Sequence, residues 1–365
     1  MKAALLEAPG QPLVIADDIA IQEPGNGQVR VRIQHCGICH SDLSVIDGAF
    51  PSALPVVLGH EAAGVVDAVG ENVTLLKPGD PVVMTPVPPC GRCYWCIRGE
   101  ASLCSEAVGL ATNTFPDGTT GLSRKGEVVS RGLNLAAFAE YVVASETAAV
   151  KIPEEVPLEV ACVIGCAVQT GVGAVLNTAQ VEEGATVLVM GLGGIGLSVV
   201  QGARLAGASR ILVSDPVAER REAAKSFGAT HLLDPTQEDV IARTREITEV
   251  GADYAFETAG VASLVSTGFL ATRNGGCVVC VGAPPIDQGI EITPAALFTI
   301  SGKTIMGCVL GSVNSLHEIP RMIALWQAGR LDLEGLITGR RPLEQINEAL
   351  DDLRASRGIR TVLSI

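Results

Sequence analysis

The chain has 365 residues, 47% of them hydrophobic, so two domains with sizeable interiors are expected. Its formal net charge of −14 argues against nucleic acid or an acidic membrane surface as the main partner. The sequence contains neither a visible signal peptide nor an apolar stretch long enough to cross a bilayer. Its 11 cysteines are therefore expected to be metal ligands and buried thiols of a cytoplasmic protein.

The first third of the sequence has the pattern of short strands. Apolar residues alternate with arginines over Val29–Ile33, as in a half-buried strand. Ala62–Val69 and Pro81–Met84 are short apolar runs between turns that contain proline and glycine. The polar, Gly-rich stretch Ala107–Asn134 has little periodicity, which predicts long loops.

Four cysteines lie within 15 residues, at Cys90, Cys93, Cys96 and Cys104. Four thiolates close a tetrahedron around zinc at about 2.3 Å each and leave no open position. The spacing therefore predicts a structural zinc site. The alternative, a pair of disulfides, is disfavoured in a reducing cytoplasm.

After Pro157 a helical pattern covers Leu158–Leu176, and strands then alternate with helices. The predicted strands are Thr186–Met190, Ile211–Ser214, Thr230–Leu233, Asp253–Phe256, Cys277–Val281 and Thr304–Cys308, and the helices are Gly194–Leu205, Ala218–Phe227, Glu238–Thr248 and Ala262–Ala271. This alternation predicts βαβ units and a parallel sheet. Beyond Gly311 the pattern predicts two more helices and a closing strand, at His317–Ala328, Leu343–Ala355 and Thr361–Ile365.

The predicted strand Thr186–Met190 leads directly into Gly191-Leu192-Gly193-Gly194-Ile195-Gly196. This segment is a G-x-G-x-x-G loop, and a predicted helix follows it at once. Such a loop binds the pyrophosphate of a dinucleotide at the helix N-terminus. Asp215 ends the next strand, where a carboxylate can accept both ribose hydroxyls and repels a 2′-phosphate. The pattern predicts NAD rather than NADP, although Arg220 and Arg221 one turn later weaken that preference.

Other candidate ligands are scattered in Cys39-His40-Ser41-Asp42, Gly59-His60-Glu61 and Ile164-Gly165-Cys166. Taken singly, each cysteine or histidine is more often a buried thiol or a structural imidazole. Taken together and in this order with the four-cysteine lobe and the Gly191–Gly196 loop, these segments resemble the zinc-containing medium-chain alcohol dehydrogenases. The likeness runs essentially from end to end.

The resemblance implies an α/β protein with a GroES-like, β-rich catalytic domain and a Rossmann domain built on a doubly wound parallel sheet. The catalytic domain would span 1–166 with two zinc sites, the NAD-binding domain 167–310, and 311–365 would return to the catalytic domain. The length of Ala107–Asn134 resembles the longer branch of the family, whose members are typically dimers. A homodimer is therefore expected.

The resemblance also implies roles for single residues. Cys39, His60 and Cys166 match the catalytic zinc ligands, which leave one position open. Ser41 matches the hydroxyl that takes the alcohol proton, Asp42 the carboxylate that orients the histidine, and Glu61 the glutamate behind the metal. The expected cofactor contacts are His40, Thr170, Gly191, Gly193, Gly194, Ile195, Gly196, Asp215, Arg220, Val281 and Arg360. The expected reaction passes a hydride between a primary aliphatic or aromatic alcohol, or its aldehyde, and NAD, with two zinc ions per chain.

Two positions depart from family patterns. Ser44 stands where the fullest proton relays have a histidine, and Val108 stands where glutathione-dependent formaldehyde dehydrogenases have an arginine. A polyol, amino-alcohol or glutathione-dependent formaldehyde dehydrogenase of the same fold is an alternative. A catalytically inactive NAD-binding sensor is another, but it would have lost a catalytic ligand, and all three are present here. Four segments are expected to line the substrate pocket: Ala49–Leu54, Thr85–Val87, Val108–Phe115 and Leu310–Val313.

Overall fold

A computed structural model describes residues 1–107 and 109–365. These residues form two structural units. The first unit comprises Met1–Ala167 and Asn314–Ile365, and the second comprises Val168–Val313. The divisions fall one and three residues after those expected from the sequence.

Two β-sheets form the frame of the first unit. One contains, in spatial order, Val14–Ala16, Ala3–Leu6, Val56–Val57, Glu127–Arg131, Leu122–Arg124 and Ile19–Ile21. The other contains Ala149–Lys151, Pro81–Met84, Glu61–Val69, Gln28–Gly37, Arg360–Ser364 and Ile337–Pro342, with Tyr141–Ser145 also paired to Gln28–Gly37. Their buried side chains, mostly Val, Leu, Ile and Ala, form one hydrophobic cluster around Phe138.

The second unit is built on a six-stranded sheet in which every pair of neighbours is parallel. Its spatial order is His231–Leu233, Arg210–Ser214, Thr186–Met190, Ala252–Glu257, Thr272–Cys280 and Thr304–Gly307. The central strands are almost wholly buried, as expected for a parallel sheet with helices on both faces. The predicted α/β class with a parallel-sheet domain is confirmed.

Twelve α-helices lie among the described residues. They are His40–Ile46, Tyr94–Ile97, Gly109–Thr112, Leu158–Ala161, Ala167–Gly173, Gly194–Leu205, Ala218–Phe227, Val240–Thr248, Ala262–Ala271, Ala296–Ser301, Ser315–Gln327 and Ile346–Arg354. Three of the predicted helices have the bounds expected from the sequence, namely Gly194–Leu205, Ala218–Phe227 and Ala262–Ala271.

The prediction of long loops throughout Ala107–Asn134 was wrong. The antiparallel strands Leu122–Arg124 and Glu127–Arg131 lie in this stretch, and the second pairs with Val56–Val57. Both strands are short and polar, and the three residues of the first show no clean alternation, so the pattern of the sequence did not reveal them.

The prediction of one helix over Leu158–Leu176 was also wrong. Cys166 has φ −138° and ψ −71° and separates a 3₁₀ turn at Cys162–Gly165 from the helix Ala167–Gly173, which continues as a π-helix over Ala174–Ala179. Among the described residues no single helix is long and apolar enough to cross a membrane. The helical segments Leu158–Gly165 and Ala167–Ala179 are long and apolar enough only when they are counted together, and a bend separates them.

Candidate active site

Four buried side chains of the first unit converge although they are far apart in sequence. Ligand atoms of Cys39, His60, Glu61 and Cys166 all lie within 4.8 Å of one another. Two thiols, an imidazole and a carboxylate are a donor set suited to zinc. The three ligands implied by the resemblance are thus brought together, with Glu61 beside them.

Asp42 fixes the geometry of this cluster from within the helix His40–Ile46. One carboxylate oxygen accepts a hydrogen bond from the Cys39 amide at 3.0 Å, which caps the helix. The other accepts one from the Gly59 amide at 3.1 Å and lies 3.3 Å from His60 Nδ1. Because Asp42 holds Nδ1, the Nε2 atom of His60 is left to face the cluster.

Glu61 is buried behind the cluster and is only partly satisfied. Its Oε1 accepts a hydrogen bond from the Ala167 amide at 3.2 Å and lies 3.5 Å from Arg360 Nη2. Its Oε2 is buried and has no hydrogen-bond partner among the described residues. An orphaned carboxylate oxygen beside two thiols is what a cation site would leave in a structure without its ion.

The protonation of these groups reflects burial and mutual contact. Burial raises the pKa of Glu61 to about 7, although the Arg360 guanidinium opposes this shift. Burial lowers the pKa of His60, but the charge of Asp42 and the hydrogen bonds with Asp42 and Cys39 together outweigh burial, so that the pKa lies well above its usual value. The hydrogen bond between the two thiols lowers the pKa of Cys39 and raises that of Cys166. Two thiols and a carboxyl group that become negative when they lose their protons form a site suited to a divalent cation.

Arg360 was expected from the resemblance to contact the pyrophosphate. Its side chain is buried in the first unit, where Nη1 donates to the Ile38 carbonyl at 2.5 Å and Nη2 faces Glu61. Arg360 is therefore also the counter-charge of Glu61, which sequence patterns did not reveal. The pyrophosphate role stays a prediction.

The four cysteines of the lobe also converge, with sulfur atoms within 4.8 Å of one another. Successive amides point at these sulfurs, from Cys93 to Cys90 Sγ at 3.3 Å and from Cys96 to Cys93 Sγ at 3.5 Å. The pKa of Cys93 is lowered to about 5, mainly by the hydrogen bond from the Cys96 amide. All 11 cysteines are free thiols, so the lobe has the donor set of a closed zinc site and not the two disulfides.

In the second unit the Gly-rich loop joins the strand Thr186–Met190 to the helix Gly194–Leu205. Gly191 has φ +95°, which favours glycine, and a side chain on Gly196 would collide with the Gly191 carbonyl. At Gly193 a Cβ would meet no atom of the described residues within 4 Å. The loop therefore keeps open space at the helix N-terminus, which fits the expected approach of a pyrophosphate.

Two family models match the chain: an alcohol dehydrogenase GroES-like domain over residues 25–154 and a zinc-binding dehydrogenase over residues 194–328. The benzyl alcohol dehydrogenase of Acinetobacter calcoaceticus is 32% identical, with a TM-score of 0.94, 100% of this chain covered and 99% of that one. An alcohol dehydrogenase zinc-binding domain protein from Burkholderia ambifaria is 38% identical, with a TM-score of 0.94 and coverage of 100% and 98%. A zinc-binding dehydrogenase from Sinorhizobium meliloti 1021, bound to NADP, is 28% identical, with a TM-score of 0.80 and coverage of 100% and 99%.

The chain belongs to the zinc-containing medium-chain alcohol dehydrogenase family. It is thus a zinc-binding oxidoreductase of the alcohol dehydrogenase type. The resemblance noted in the sequence is confirmed, and the two converging donor sets are those of a dehydrogenase.

In this dehydrogenase, Ser41 and Ser44 lie on the same helix but have different hydrogen-bond partners. Ser41 is half-buried and its Oγ lies 3.8 Å from Cys39 Sγ. The Ser44 hydroxyl donates to the carbonyl of His40 within the same helix, at 3.1 Å. His40 itself is exposed. Val108, which stands where glutathione-dependent formaldehyde dehydrogenases have an arginine, lies outside the described residues.

The dehydrogenase holds the other expected cofactor residues in its second unit. Asp215 is buried, and its carboxylate accepts hydrogen bonds from the Leu192 amide at 2.7 Å and the Val217 amide at 2.8 Å. It therefore braces the Gly-rich loop in addition to any contact with ribose. The side chains of Thr170, Arg220 and Val281 are buried.

Proposed function

We propose that this chain is a cytoplasmic, NAD-linked alcohol dehydrogenase that holds two zinc ions and acts on primary aliphatic or aromatic alcohols. The observation that carries the proposal is the convergence of Cys39, His60 and Cys166 in one buried cluster. A sensor without catalysis would not need this second donor set in addition to the four-cysteine lobe.

The proposed reaction removes a proton from the hydroxyl oxygen of the alcohol and a hydride from its carbon, which gives the aldehyde, NADH and a proton. When bound, zinc would supply a Lewis acid that favours loss of the hydroxyl proton, and NAD would supply the hydride acceptor. The hydroxyl of Ser41, beside Cys39, accepts that proton as it gives its own proton up towards solvent. Asp42 keeps His60 in one tautomer and orientation while this occurs.

Glu61 and Arg360 complete the proposed roles around the cluster. Arg360 balances the Glu61 carboxylate at 3.5 Å, so that Glu61 can stay close to the ligands without an uncompensated charge. When zinc is bound, the orphaned Oε2 of Glu61 would be available as a further ligand during the exchange of substrate and product.

The preference for NAD over NADP rests on charge around Asp215. Arg221, one of two arginines that could attract a 2′-phosphate, donates to the Asp215 carbonyl at 2.5 Å and pairs with Asp234 at 2.6 Å. Because these contacts already use the Arg221 side chain, it is less available to bind a 2′-phosphate, and the Asp215 carboxylate repels a 2′-phosphate. Because one similar protein binds NADP, the test described below compares NAD with NADP.

The substrate class is supported by the similarity to a benzyl alcohol dehydrogenase. The test measures initial rates with NAD and with NADP on benzyl alcohol, linear primary alcohols, sorbitol, threonine and S-hydroxymethylglutathione. Primary alcohols with NAD should give the highest kcat/KM. Faster turnover of sorbitol, threonine or the glutathione adduct would replace the proposed substrate by that class.

We also propose that the dehydrogenase is a homodimer. Thr304–Gly307 is an edge strand of the parallel sheet, and apolar side chains near it in sequence are exposed: 42% of Phe298, 75% of Ile300 and 46% of Val309. An unpaired strand edge flanked by exposed apolar side chains favours pairing, and a second copy offers the same edge in a two-fold arrangement. With a net charge of −14, neither nucleic acid nor an anionic membrane is a proposed partner.

A further inference from the structure

Arg131 is a buried arginine that no part of the proposed chemistry uses. It ends the strand Glu127–Arg131, is 3% exposed, and forms no ion pair with any carboxylate of residues 1–107 and 109–365. Burial lowers the pKa of Arg131 to about 9, so the side chain still carries its charge at neutral pH. A buried cation without a carboxylate is costly unless its donors and its planar face are used by other groups.

The contacts of Arg131 reach three different segments of the first unit. Nη1 donates to the side-chain oxygen of Asn134 at 3.1 Å, and Nη2 donates to the Val143 carbonyl at 3.1 Å. The guanidinium carbon lies 3.9 Å from the centre of the Phe115 ring, so the cation lies over an aromatic face. Lysine could not make these contacts together, because it lacks both the fork and the plane.

Two asparagines extend these contacts. Asn134, the acceptor for Arg131, donates to the Pro86 carbonyl at 2.9 Å. The backbone carbonyl of Asn113 accepts a hydrogen bond from the Arg131 amide, and its side-chain oxygen accepts one from the Leu133 amide. The side-chain nitrogen of Asn113 donates to Ser52 Oγ at 2.8 Å. Two of the four segments expected to line the substrate pocket thus contact the guanidinium directly or through Asn134, at Phe115 and Pro86. A third is connected to the backbone amide of Arg131, through Asn113 and Ser52.

The backbone that Arg131 supports is held in an unfavourable conformation. Leu133, Asn134 and Ala136 all have positive φ, at 50°, 67° and 61°. Such a run of left-handed residues other than glycine persists only where the surroundings fix it, and functional sites concentrate such strain.

This strained segment is also connected to the zinc cluster. The amide of Ala137 donates to the Gly59 carbonyl at 2.9 Å, and that of Phe138 donates to the Leu58 carbonyl at 2.8 Å. Gly59 directly precedes His60. The turn that Arg131 holds therefore lies against the backbone that carries a proposed zinc ligand.

We propose that Arg131 is a positioning residue that fixes the wall of the substrate pocket and so sets the preference among alcohols. The inference rests on the proposed alcohol dehydrogenase activity. Arg131 does not touch the reacting atoms, and it acts through Asn134, Phe115 and the left-handed turn. A fixed wall matters most for a substrate large enough to lie against it, such as benzyl alcohol, and least for ethanol.

The test compares R131K, R131M and R124K in the zinc-loaded enzyme. Arg124 is a matched control because it lies on the neighbouring strand and pairs with the surface acids Asp18 and Glu7. For each protein, kcat and KM are measured on benzyl alcohol and on ethanol, together with zinc content and thermal melting. We expect the ratio of kcat/KM for benzyl alcohol to that for ethanol to fall about tenfold in R131M and by a smaller factor in R131K. R124K should keep the wild-type ratio.

Equal losses on both alcohols in R131K and R131M would overturn the inference, because Arg131 would then have only a structural role. An unchanged ratio in an active enzyme would overturn it as well. If R131M fails to fold, the ratio in R131K decides, since that variant keeps the charge. If the wild-type enzyme oxidises neither alcohol with NAD or NADP, the proposed function itself fails and the inference falls with it.

Discussion

Gly193 and Gly196 are three residues apart in one loop, and their surroundings differ. A Cβ on Gly196 would collide with the Gly191 carbonyl, whereas a Cβ on Gly193 would point into open space. Gly196 is therefore needed for the packing of the helix on its strand, whereas Gly193 leaves open the space where a pyrophosphate is expected.

The two alanine variants should therefore fail in different ways. G196A should lose roughly 1–3 kcal/mol of unfolding free energy, because the clash is with backbone. G193A should unfold close to the wild type but bind NAD about tenfold more weakly, a cost of about 1.4 kcal/mol. Urea unfolding and calorimetric titration with NAD measure the two effects. Similar losses of both stability and affinity in the two variants would contradict this separation.

Glu257 ends the strand Ala252–Glu257 and is a buried acid outside the zinc clusters. Its side chain accepts hydrogen bonds from the amides of Ala259 and Val261, at 2.8 and 3.2 Å. Burial nevertheless raises its pKa above the ordinary glutamate value, because these hydrogen bonds offset the loss of water only in part.

A raised folded-state pKa means that the folded protein holds this proton more tightly than the unfolded chain. The contribution of Glu257 to stability is therefore fully present below the ordinary carboxyl pKa and is lost as pH rises through the folded-state value. E257Q should flatten the pH dependence of the unfolding free energy over that window, whereas the exposed control E183Q should not. Parallel pH profiles for E257Q and the wild type, measured by urea unfolding, would contradict the prediction.

At the residue scale, local spacing was enough to predict the four-cysteine lobe, the Gly-rich loop and Asp215. Contacts between distant residues were not predictable from one sequence. Nothing near Arg360 in the chain indicates that it balances Glu61, and nothing near Arg131 indicates the asparagines that surround it. These contacts depend on the pairing of strands that are far apart in sequence.

At the scale of elements, the lobe from Cys90 to Cys104 has little other than its thiols to hold it. Its only α-helix in the described residues is Tyr94–Ile97, with no buried residue. So short a helix is not stable by itself, which makes a bound metal the main source of order.

We expect C104S to hold one zinc fewer per chain and to melt roughly 5 °C lower than the wild type. C277S is the control, because Cys277 is a half-buried thiol in the second unit. Metal analysis and thermal melting check both variants. A C104S protein with unchanged zinc content would show that the lobe is not a metal site.

Two elements were mispredicted for physical reasons. The break at Cys166 could not be seen because the apolar pattern continues through it, and only the position of the thiol in the cluster explains it. The strands Leu122–Arg124 and Glu127–Arg131 have too few apolar residues for a pattern, since their order comes from pairing within the sheet. The failure at Cys166 lies in the proposed site, where local preference is overridden by function.

At the scale of the whole molecule, the proposed homodimer depends on the edge of the parallel sheet. I300E would place a charge on a side chain that is 75% exposed in one chain and would be buried between two. Light scattering should give a dimer for the wild type and a monomer for I300E, while E183Q should remain a dimer. A dimeric I300E would place the interface elsewhere on the chain.

The proposed role of the buried cluster is tested by measuring the zinc content of the purified enzyme beside its turnover of a primary alcohol with NAD. Two zinc ions per chain are expected in the wild type, and C39A should lose one of them and all turnover while its melting stays close to the wild type. C36A is the matched control, because Cys36 is a buried thiol three residues away and outside the cluster. A C39A enzyme that keeps both its zinc content and its turnover would contradict the central claim.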